Sequence, residues 1–271
     1  MHLSVIFSTY NSTEWLQKVL WGFELQTYRD FEIVIADDGS GDATREVVDS
    51  FRLRTGMKVI HVWHEDDGFQ KSAILNKAIT ASSGDYLVFT DGDCIPRKDF
   101  LETHVRFAEQ GRFLSGGYFM LPMETSKAIG EEDIRTGRAF DVSWLTAHGL
   151  KKTFKTMKLT ASGSKAKFLN FITPTRPTWN GHNASGWKKD ILAANGFNED
   201  MKYGGQDREL GERLENAGIR GKQIRYSAIC IHLDHKRGYK TEESIKFNQS
   251  VRTQTRKQKI TRTPQGIVKP A

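Results

Sequence analysis

The stretch Tyr86-Leu87-Val88-Phe89-Thr90-Asp91-Gly92-Asp93 joins an apolar run of strand length to a pair of carboxylates. Runs of the same kind, rich in Val, Ile and Phe, occupy residues 3–8, 31–36 and 58–63, and helical patterns lie between them. Short buried strands that alternate with helices are typical of a parallel sheet with crossover helices. The sequence therefore predicts an α/β fold with a mostly parallel central sheet flanked by helices.

The composition is that of a globular protein with a substantial core. The 271 residues are 38% hydrophobic and 27% charged, which excludes a disordered or collagen-like chain. Cys94 and Cys230 are too few for a disulfide framework, so a reducing compartment is expected. The first ten residues carry no basic leader, and their apolar run is shorter than the ~18 residues of a membrane span. We therefore expect a cytoplasmic protein.

Positive charge is concentrated in two segments of this chain, whose net charge is +7. Between Lys236 and Ala271, ten Lys or Arg residues are accompanied by two acids, and residues 151–167 hold six lysines and no acid. Either segment can be a solvated surface or can attract an anionic partner, such as ligand phosphates or a lipid surface. Nucleic acid is not expected, because no basic-aromatic recognition motif accompanies the charge. For residues 151–167 we favour peripheral contact with the inner face of an anionic membrane.

Polar and acidic residues follow three of the predicted strands. They are Thr9-Tyr10-Asn11, Asp37-Asp38-Gly39-Ser40 and Asp91-Gly92-Asp93. A ligand of a parallel sheet binds beyond the carboxyl ends of the strands, so these loops are candidates for one site. Gly92 lets its two neighbouring carboxylates turn toward one point, where a divalent cation would offset their repulsion. The alternative for an isolated pair of this kind is a solvated acidic turn.

Motifs in both halves of the chain carry a family resemblance. In the first half they are Ser8-Thr9-Tyr10-Asn11, Asp37-Asp38-Gly39-Ser40, Gly68-Phe69-Gln70-Lys71 with Asn76, and Asp91-Gly92-Asp93. Together these resemble the nucleotide-sugar half of family-2 glycosyltransferases, which have the Rossmann-like GT-A fold. In the second half they are Asn180-Gly181-His182-Asn183-Ala184, Gly196-Phe197-Asn198-Glu199 and Tyr203-Gly204-Gly205-Gln206-Asp207-Arg208-Glu209. These resemble the C-terminal half of galactosyltransferase-type GT-A enzymes, where Glu is usual at the position of Gln206.

The resemblance implies a division of the chain and a set of ligand contacts. The segments are a nucleotide-sugar-binding half (1–120), a variable helical insert (121–178), an acceptor and catalytic half (179–235) and a basic C-terminal tail (236–271). A UDP-sugar donor is expected to contact Thr9, Tyr10, Asn11, Asp38, Lys71, Asp91 and Gly92. A divalent metal is expected on Asp93 and His232, with His235 as a weaker candidate and a structural role as the alternative for each histidine. Mn²⁺ is preferred to Mg²⁺, because it accepts mixed N and O ligands.

Asp207 is the candidate general base. It follows two glycines and opens a predicted helix, 208–216, whose N-terminal field keeps the carboxylate ionised. A positioned carboxylate that takes the acceptor proton contributes about 10²–10⁴ in rate. The alternative is that Asp207 only caps its helix. The residues expected near the donor sugar or the acceptor are Trp179, His182, Asn183, Gly205 and Gln206, with burial as the alternative for the tryptophan.

These expectations combine into a metal-dependent, inverting glycosyltransferase. It would move a sugar from a UDP-sugar to a saccharide or lipid-linked saccharide in bacterial-type surface polysaccharide or lipopolysaccharide assembly. A retaining transferase and a non-catalytic nucleotide- or sugar-binding module remain alternatives. A nucleotidyltransferase is disfavoured, because the loop Thr9-Tyr10-Asn11-Ser12 has neither glycine nor lysine. In the tail, Arg252, Arg256 and Lys257 are candidates for a lid over the donor phosphates.

Overall fold

A seven-stranded sheet forms the centre of the protein. The computed structural model describes residues 1–235 and 241–269. The strands in these ranges are β1 (Leu3–Thr9), β2 (Phe31–Asp37), β3 (Val59–Trp63), β4 (Tyr86–Asp91), β5 (Cys94–Pro96), β6 (Arg112–Ser115), β7 (Gly117–Met120), β8 (Ala184–Trp187), β9 (Arg220–Gln223) and β10 (Ile229–His232). The order in the large sheet is β3-β2-β1-β4-β8-β6-β9, and β8 is antiparallel to both of its neighbours. The other strand pairs are parallel, which confirms the predicted mostly parallel sheet.

Helices cover both faces of this sheet. The helices in the described ranges are α1 (Thr13–Glu24), α2 (Asp42–Thr55), α3 (Lys71–Ala81), α4 (Phe100–Phe107), α5 (Met123–Ala128), α6 (Glu131–Thr136), α7 (Val142–Ala147), α8 (Met157–Thr160), α9 (Gly163–Ile172), α10 (Lys188–Ala193), α11 (Gln206–Asn216) and α12 (Glu242–Lys257). Val5 of β1 packs in one apolar cluster with α1 and α2, whereas Ile6 packs in a second cluster with α3. Burial on both faces explains why the central strands are almost continuously apolar.

A small second sheet lies beside the end of β4. Its order is β5-β10-β7, with β10 antiparallel to β5 and parallel to β7. The register opposes His232 to Cys94, the residue that follows Asp93. This strand pairing therefore brings a histidine from late in the chain to the acidic loop after β4.

The segment 121–178 is helical. It contains α5 to α9 and two short 3-10 helices, Arg138–Phe140 and Phe154–Thr156, and it contributes no strand to either sheet. Its apolar residues Leu145 and Leu159 belong to the same cluster as Val5 and α1. The segment is thus packed onto one face of the central sheet.

The last described helix, α12, packs against α11. Arg252 Nη2 lies 2.6 Å and Arg256 Nη1 lies 3.2 Å from Glu212 Oε1. Both guanidinium groups are thus paired with a carboxylate of α11, and the lid over the donor phosphates stays a prediction for these two arginines. Lys257 ends α12, and the basic residues 236, 237 and 240 of the predicted tail lie outside the described residues. Among the helices that the structure describes, none is both long and apolar enough to cross a membrane.

Candidate active site

Four segments that are distant in sequence meet at the carboxyl end of the central sheet. A methyl group on the Gly181 Cα would lie 3.9 Å from each of three atoms, Asp207 Oδ2, Asp91 Oδ1 and Lys71 Nζ. Lys71 begins α3, Asp91 ends β4, and Asp207 lies in the first turn of α11. The two carboxylates and the ammonium group therefore border one small space next to the Gly181 backbone.

The Lys71 ammonium is the positive group in this space. Its Nζ donates to Asp91 Oδ1 at 2.5 Å. Burial by itself would lower the pKa of Lys71, but the negative charges of Asp91, Asp93 and Asp207 raise it above its usual value. The lysine thus stays protonated, and it offsets the repulsion between carboxylates that are gathered at one strand end.

Asp207 is held by two backbone donors. Its Oδ2 accepts from the Gly181 N–H at 2.9 Å, and its Oδ1 accepts from the Arg208 N–H at 2.8 Å. The N-cap of α11 is Gly205, whose φ of +93° is in the left-handed region that favours glycine. Asp207 is therefore not the N-cap residue of α11, although it does accept one N–H of the first turn. Its carboxylate instead bridges α11 to the loop before β8, and the two donors stabilise its negative charge.

Asp93 and two histidines form a second cluster beside the first. His235 Nε2 lies 3.1 Å from Asp93 Oδ2, and His232 Nε2 lies 3.7 Å from Asp93 Oδ1. Burial would raise the pKa of Asp93, but the hydrogen bond from His235 and the nearby charges of His232, His235 and Lys71 lower it to about 2. The Asp93 carboxylate is therefore ionised at neutral pH.

The donor set of this cluster fits a divalent cation. Ligand atoms of Asp93, Cys94 and His232 all lie within 4.8 Å of one another. His232 Nδ1 is 2.8 Å from the Leu233 carbonyl oxygen, so Nδ1 carries a proton, and in the neutral form of the ring the Nε2 lone pair is available to a metal. Burial raises the pKa of the Cys94 thiol well above its usual value, which makes the thiol a poor ligand. Asp93 and His232 are thus the pair that could hold the ion.

The loops after β1 and β2 lie against each other. The Asp38 N–H donates to the Thr9 carbonyl oxygen, and the Asn11 N–H donates to Ser40 Oγ at 2.8 Å. Asp38 Oδ2 accepts from the Gln70 N–H, and Oδ1 lies 2.8 Å from His64 Nε2, while burial raises the pKa of Asp38. Thr9 Oγ1 is buried without a hydrogen-bond partner among the described residues. The predicted residues Thr9, Asn11 and Asp38 are therefore brought together.

Two other predicted donor-side residues have separate positions. Tyr10 is half exposed and its hydroxyl donates to Asp66 Oδ2 at 2.8 Å. The Gly92 N–H donates to the Ser8 carbonyl oxygen at 2.9 Å, and a Cβ at Gly92 would lie 2.7 Å from that oxygen. Gly92 is needed because the acidic loop packs this closely on the end of β1.

Two of the residues predicted to contact a sugar are fully buried, at 0% exposure, instead. Trp179 is fully buried between Phe89 and Phe113, with ring centroids 5.4 Å and 5.7 Å away. Asn183 is also fully buried, and its Nδ2 donates to the carbonyl oxygens of Gly117 and Ala228. The sugar-contact predictions for Trp179 and Asn183 are wrong, because neither side chain reaches the space beside Gly181 that Asp91, Asp207 and Lys71 border. We call this space the cleft.

The remaining predicted residues lie on the border of the cleft. Gln206 is buried, and its Oε1 accepts from the Gly204 N–H at 3.0 Å, so it supports the loop before α11. A Cβ at Gly205 would lie 3.2 Å from Arg252 Cδ. The His182 ring packs on Tyr118 with centroids 4.1 Å apart, and burial lowers its pKa to about 4. His182 is therefore a neutral imidazole at neutral pH, next to the Asp91 and Asp207 carboxylates.

Sequence reasoning undervalued His235 and did not find two further features. The Gly181 N–H binds Asp207, and the Tyr118 ring lies against His182 and, at 5.9 Å between centroids, against His232. A backbone donor leaves no signature in a sequence. The i, i+3 spacing of His232 and His235 was a signal for the second histidine, since their rings stack 5.5 Å apart.

Comparison with known proteins identifies the family. Residues 4–139 match the family described as Glycosyl transferase family 2. The chain belongs to this family. The family-2 chain is 26% identical over 281 residues to the uncharacterized glycosyltransferase YfnE of Bacillus subtilis (strain 168). This alignment covers 92% of the chain and 69% of YfnE. It is 29% identical over 232 residues to a validoxylamine A glucosyltransferase of Streptomyces hygroscopicus subsp. jinggangensis, which covers 80% of the chain and 52% of that protein.

Solved structures support the same conclusion for the fold. The mannosyltransferase PcManGT from Pyrobaculum calidifontis, in complex with GDP-Man and Mn²⁺, has a TM-score of 0.59 at 20% identity and covers 88% of the family-2 chain. S. aureus TarS 1-349, in complex with UDP, has a TM-score of 0.57 at 18% identity and covers 86% of it. The family-2 chain spans 58% and 61% of those two chains. The GT-A fold is thereby confirmed, whereas the galactosyltransferase-type likeness of the second half stays a prediction.

Proposed function

We propose that this family-2 chain is an inverting, metal-dependent glycosyltransferase that uses a UDP-sugar. The observation that carries the proposal is the convergence of Asp207 Oδ2, Asp91 Oδ1 and Lys71 Nζ around Gly181. One carboxylate in this space can act as a base while the ammonium group attracts phosphate.

The reaction uses Asp207 as the general base. An acceptor hydroxyl loses its proton to the Asp207 carboxylate while its oxygen forms a bond to the anomeric carbon of the donor. The bond from that carbon to the β-phosphate oxygen breaks, and its electron pair leaves with UDP. Attack opposite to the leaving group inverts the anomeric carbon. The charge that develops on the diphosphate is stabilised by Lys71, which lies beside Asp91.

Asp93 and His232 are the proposed protein ligands of the metal. A divalent cation bound there supplies Lewis-acid stabilisation of the departing diphosphate. The mixed oxygen and nitrogen ligands favour Mn²⁺ over Mg²⁺. His235, which holds Asp93 Oδ2, orients that carboxylate and keeps it ionised. Mn²⁺ is also present in the PcManGT complex with GDP-Man.

The loops that carry Thr9, Asn11 and Asp38 are proposed to hold the uridine. Thr9 Oγ1 is a buried polar atom without a partner among the described residues, and a nucleoside hydroxyl or base would satisfy it. Tyr10, half exposed at the rim, is positioned to cover the base. The TarS complex with UDP makes uridine the first nucleotide to test.

The proposed acceptor is a saccharide or lipid-linked saccharide of a bacterial-type surface polysaccharide or lipopolysaccharide. His182 and the loop with Gly205 and Gln206 border the cleft on the side of Asp207, where an acceptor hydroxyl must approach. We propose a cytoplasmic location, at the inner face of the membrane when the acceptor is lipid-linked.

The direct test is Mn²⁺-dependent release of UDP from a panel of UDP-sugars. Asp207→Asn is expected to lower turnover by about 10²–10⁴, with UDP affinity unchanged. The matched control is Asp42→Asn, because Asp42 is also a first-turn carboxylate but has a side chain that is 92% exposed. Removal of the metal with a chelator is expected to abolish release, and added Mn²⁺ to restore it.

Three outcomes would contradict parts of the proposal. Wild-type turnover by Asp207→Asn would rule out Asp207 as the base. A product whose anomeric configuration matches that of the donor, measured by NMR, would identify a retaining enzyme. Absence of UDP release with every donor, at any metal concentration, would favour a non-catalytic binding module.

A further inference from the structure

The α9 helix exposes a row of large apolar side chains. Phe168 is 61% exposed, Phe171 is 88% exposed, and Ile172 is 51% exposed. Their i, i+3 and i+4 spacing places them on one side of the helix. The other side is anchored, since Ala166 is buried and Asn170 donates from Nδ2 to Ser227 Oγ and accepts at Oδ1 from the Tyr226 N–H. Phe154, in the preceding short helix, is 81% exposed.

Exposed lysines lie in the same segment of the chain as these apolar groups. They are Lys151, Lys152, Lys155, Lys165 and Lys167. Residues 151–172 contain no Asp or Glu that could neutralise them. We name the exposed residues of this segment, Phe154, Phe168, Phe171 and Ile172 with these five lysines, the insert face.

The combination of apolar and basic groups selects among possible occupants. A second copy of the chain would bring lysines against lysines, because the face contains no acid of its own. A bilayer that contains anionic lipid satisfies both components. Its headgroups attract the lysines, and the phenyl and isoleucine side chains enter the interfacial region.

We propose that the insert face is a membrane-docking surface for anionic phospholipid. Each lysine near an anionic leaflet strengthens attachment severalfold, and this electrostatic contribution to binding weakens as salt screens the charge. The apolar side chains add a contribution to binding that salt does not screen. Binding is therefore reversible and needs both sets of residues.

The position of the insert face also links it to the cleft. Lys158, in the same segment, donates from Nζ to the Tyr118 carbonyl oxygen and lies 5.7 Å from the Tyr118 ring centroid. The Tyr118 ring packs on His182 at the border of the candidate active site. Docking would bring this border close to the lipid surface, where a lipid-linked acceptor lies. The approach of the cleft to a lipid-linked acceptor rests on the proposed function, whereas membrane docking itself does not.

The test is co-sedimentation of the full chain with vesicles. The vesicles are pure phosphatidylcholine or phosphatidylcholine with about 30 mol% phosphatidylglycerol, at low and at high salt. The apolar variant is F168S/F171S, and its control is Leu53→Ser, since Leu53 is an 88% exposed side chain of α2. The charge variant is K165Q/K167Q, and its control is K246Q/K257Q on α12. Circular dichroism checks that every variant is folded.

The wild type is expected to sediment with the anionic vesicles and to remain in solution with phosphatidylcholine alone. Both insert-face variants are expected to lose about tenfold or more in partitioning, and both controls to bind as the wild type does. Absence of binding, equal binding to both vesicles, or full binding by the insert-face variants would overturn the proposal. So would a wild-type dimer, seen by analytical ultracentrifugation, that F168S/F171S converts to monomer. Donor hydrolysis is measured in the same samples, so docking without UDP release would refute only the proposed function.

Discussion

Replacement of Gly181 by alanine probes the space where the two carboxylates and the lysine meet. The added methyl group would lie 3.9 Å from Asp207 Oδ2, Asp91 Oδ1 and Lys71 Nζ, which is ordinary van der Waals contact. The alanine N–H can still donate to Asp207. Since nothing clashes in the free protein, the free energy of unfolding should change by no more than about 0.5 kcal/mol.

The same methyl group would occupy space that the reacting groups need. Intrusion into a packed site costs about 1–3 kcal/mol, so kcat/KM should fall by about 5-fold to 150-fold. The assay compares UDP release by Gly181→Ala with that by the control Gly130→Ala. Gly130 precedes α6, and an added methyl group there would lie 3.6 Å from a carboxylate oxygen of Asp133. Urea unfolding of both variants verifies the fold. Wild-type kcat/KM in Gly181→Ala would refute the placement of the reaction beside this glycine.

Two predictions concern stability. Arg213→Met should lower the free energy of unfolding in urea by about 3–5 kcal/mol, because it leaves the buried Glu209 carboxylate without the guanidinium that donates to it at 2.8–2.9 Å. Arg256→Met, at a half-exposed arginine, should cost less than about 1 kcal/mol, and equal losses would contradict this reasoning. Burial lowers the pKa of His104 from 6.5 to about 4. As the pH falls, this histidine is therefore protonated in the unfolded chain before it is protonated in the folded one. The free energy of unfolding should fall by about 3 kcal/mol between pH 6.5 and pH 4. His104→Gln should show a correspondingly smaller fall in the urea midpoint, and an unchanged pH dependence would argue against this origin.

The strands of the first half were predictable from local pattern. β1, β2, β3 and β4 each lie within one or two residues of the predicted apolar runs. A strand that is buried on both faces must be apolar along its whole length, and this property is visible without any tertiary information. The polar and acidic motifs at the ends of β1, β2 and β4 were also visible in the sequence, because each one directly follows an apolar run. These motifs indicated the family.

The predictions for Trp179 and Asn183 failed although their neighbours Gly181 and His182 do border the cleft. Residues close in sequence can point in opposite directions, and no local pattern distinguishes a ring that faces sugar from one that faces the core. The ion pairs of the two arginines of α12 were likewise not predictable, because their partner Glu212 lies about 40 residues away. Which charges pair is decided by how helices pack, and helical periodicity alone does not reveal it.

The order of short apolar strands, helices and acidic turns in this sequence determined the α/β architecture and the carboxyl edge at which the acidic loops lie. Only the tertiary structure decided that Lys71, Asp91, Gly181 and Asp207 border the same space, and that His232 and His235 reach Asp93. The physical reason is that burial acts on each segment separately, through its own pattern of apolar side chains. Distances between side chains of different segments depend on strand register and helix packing, which arise only when all the segments assemble.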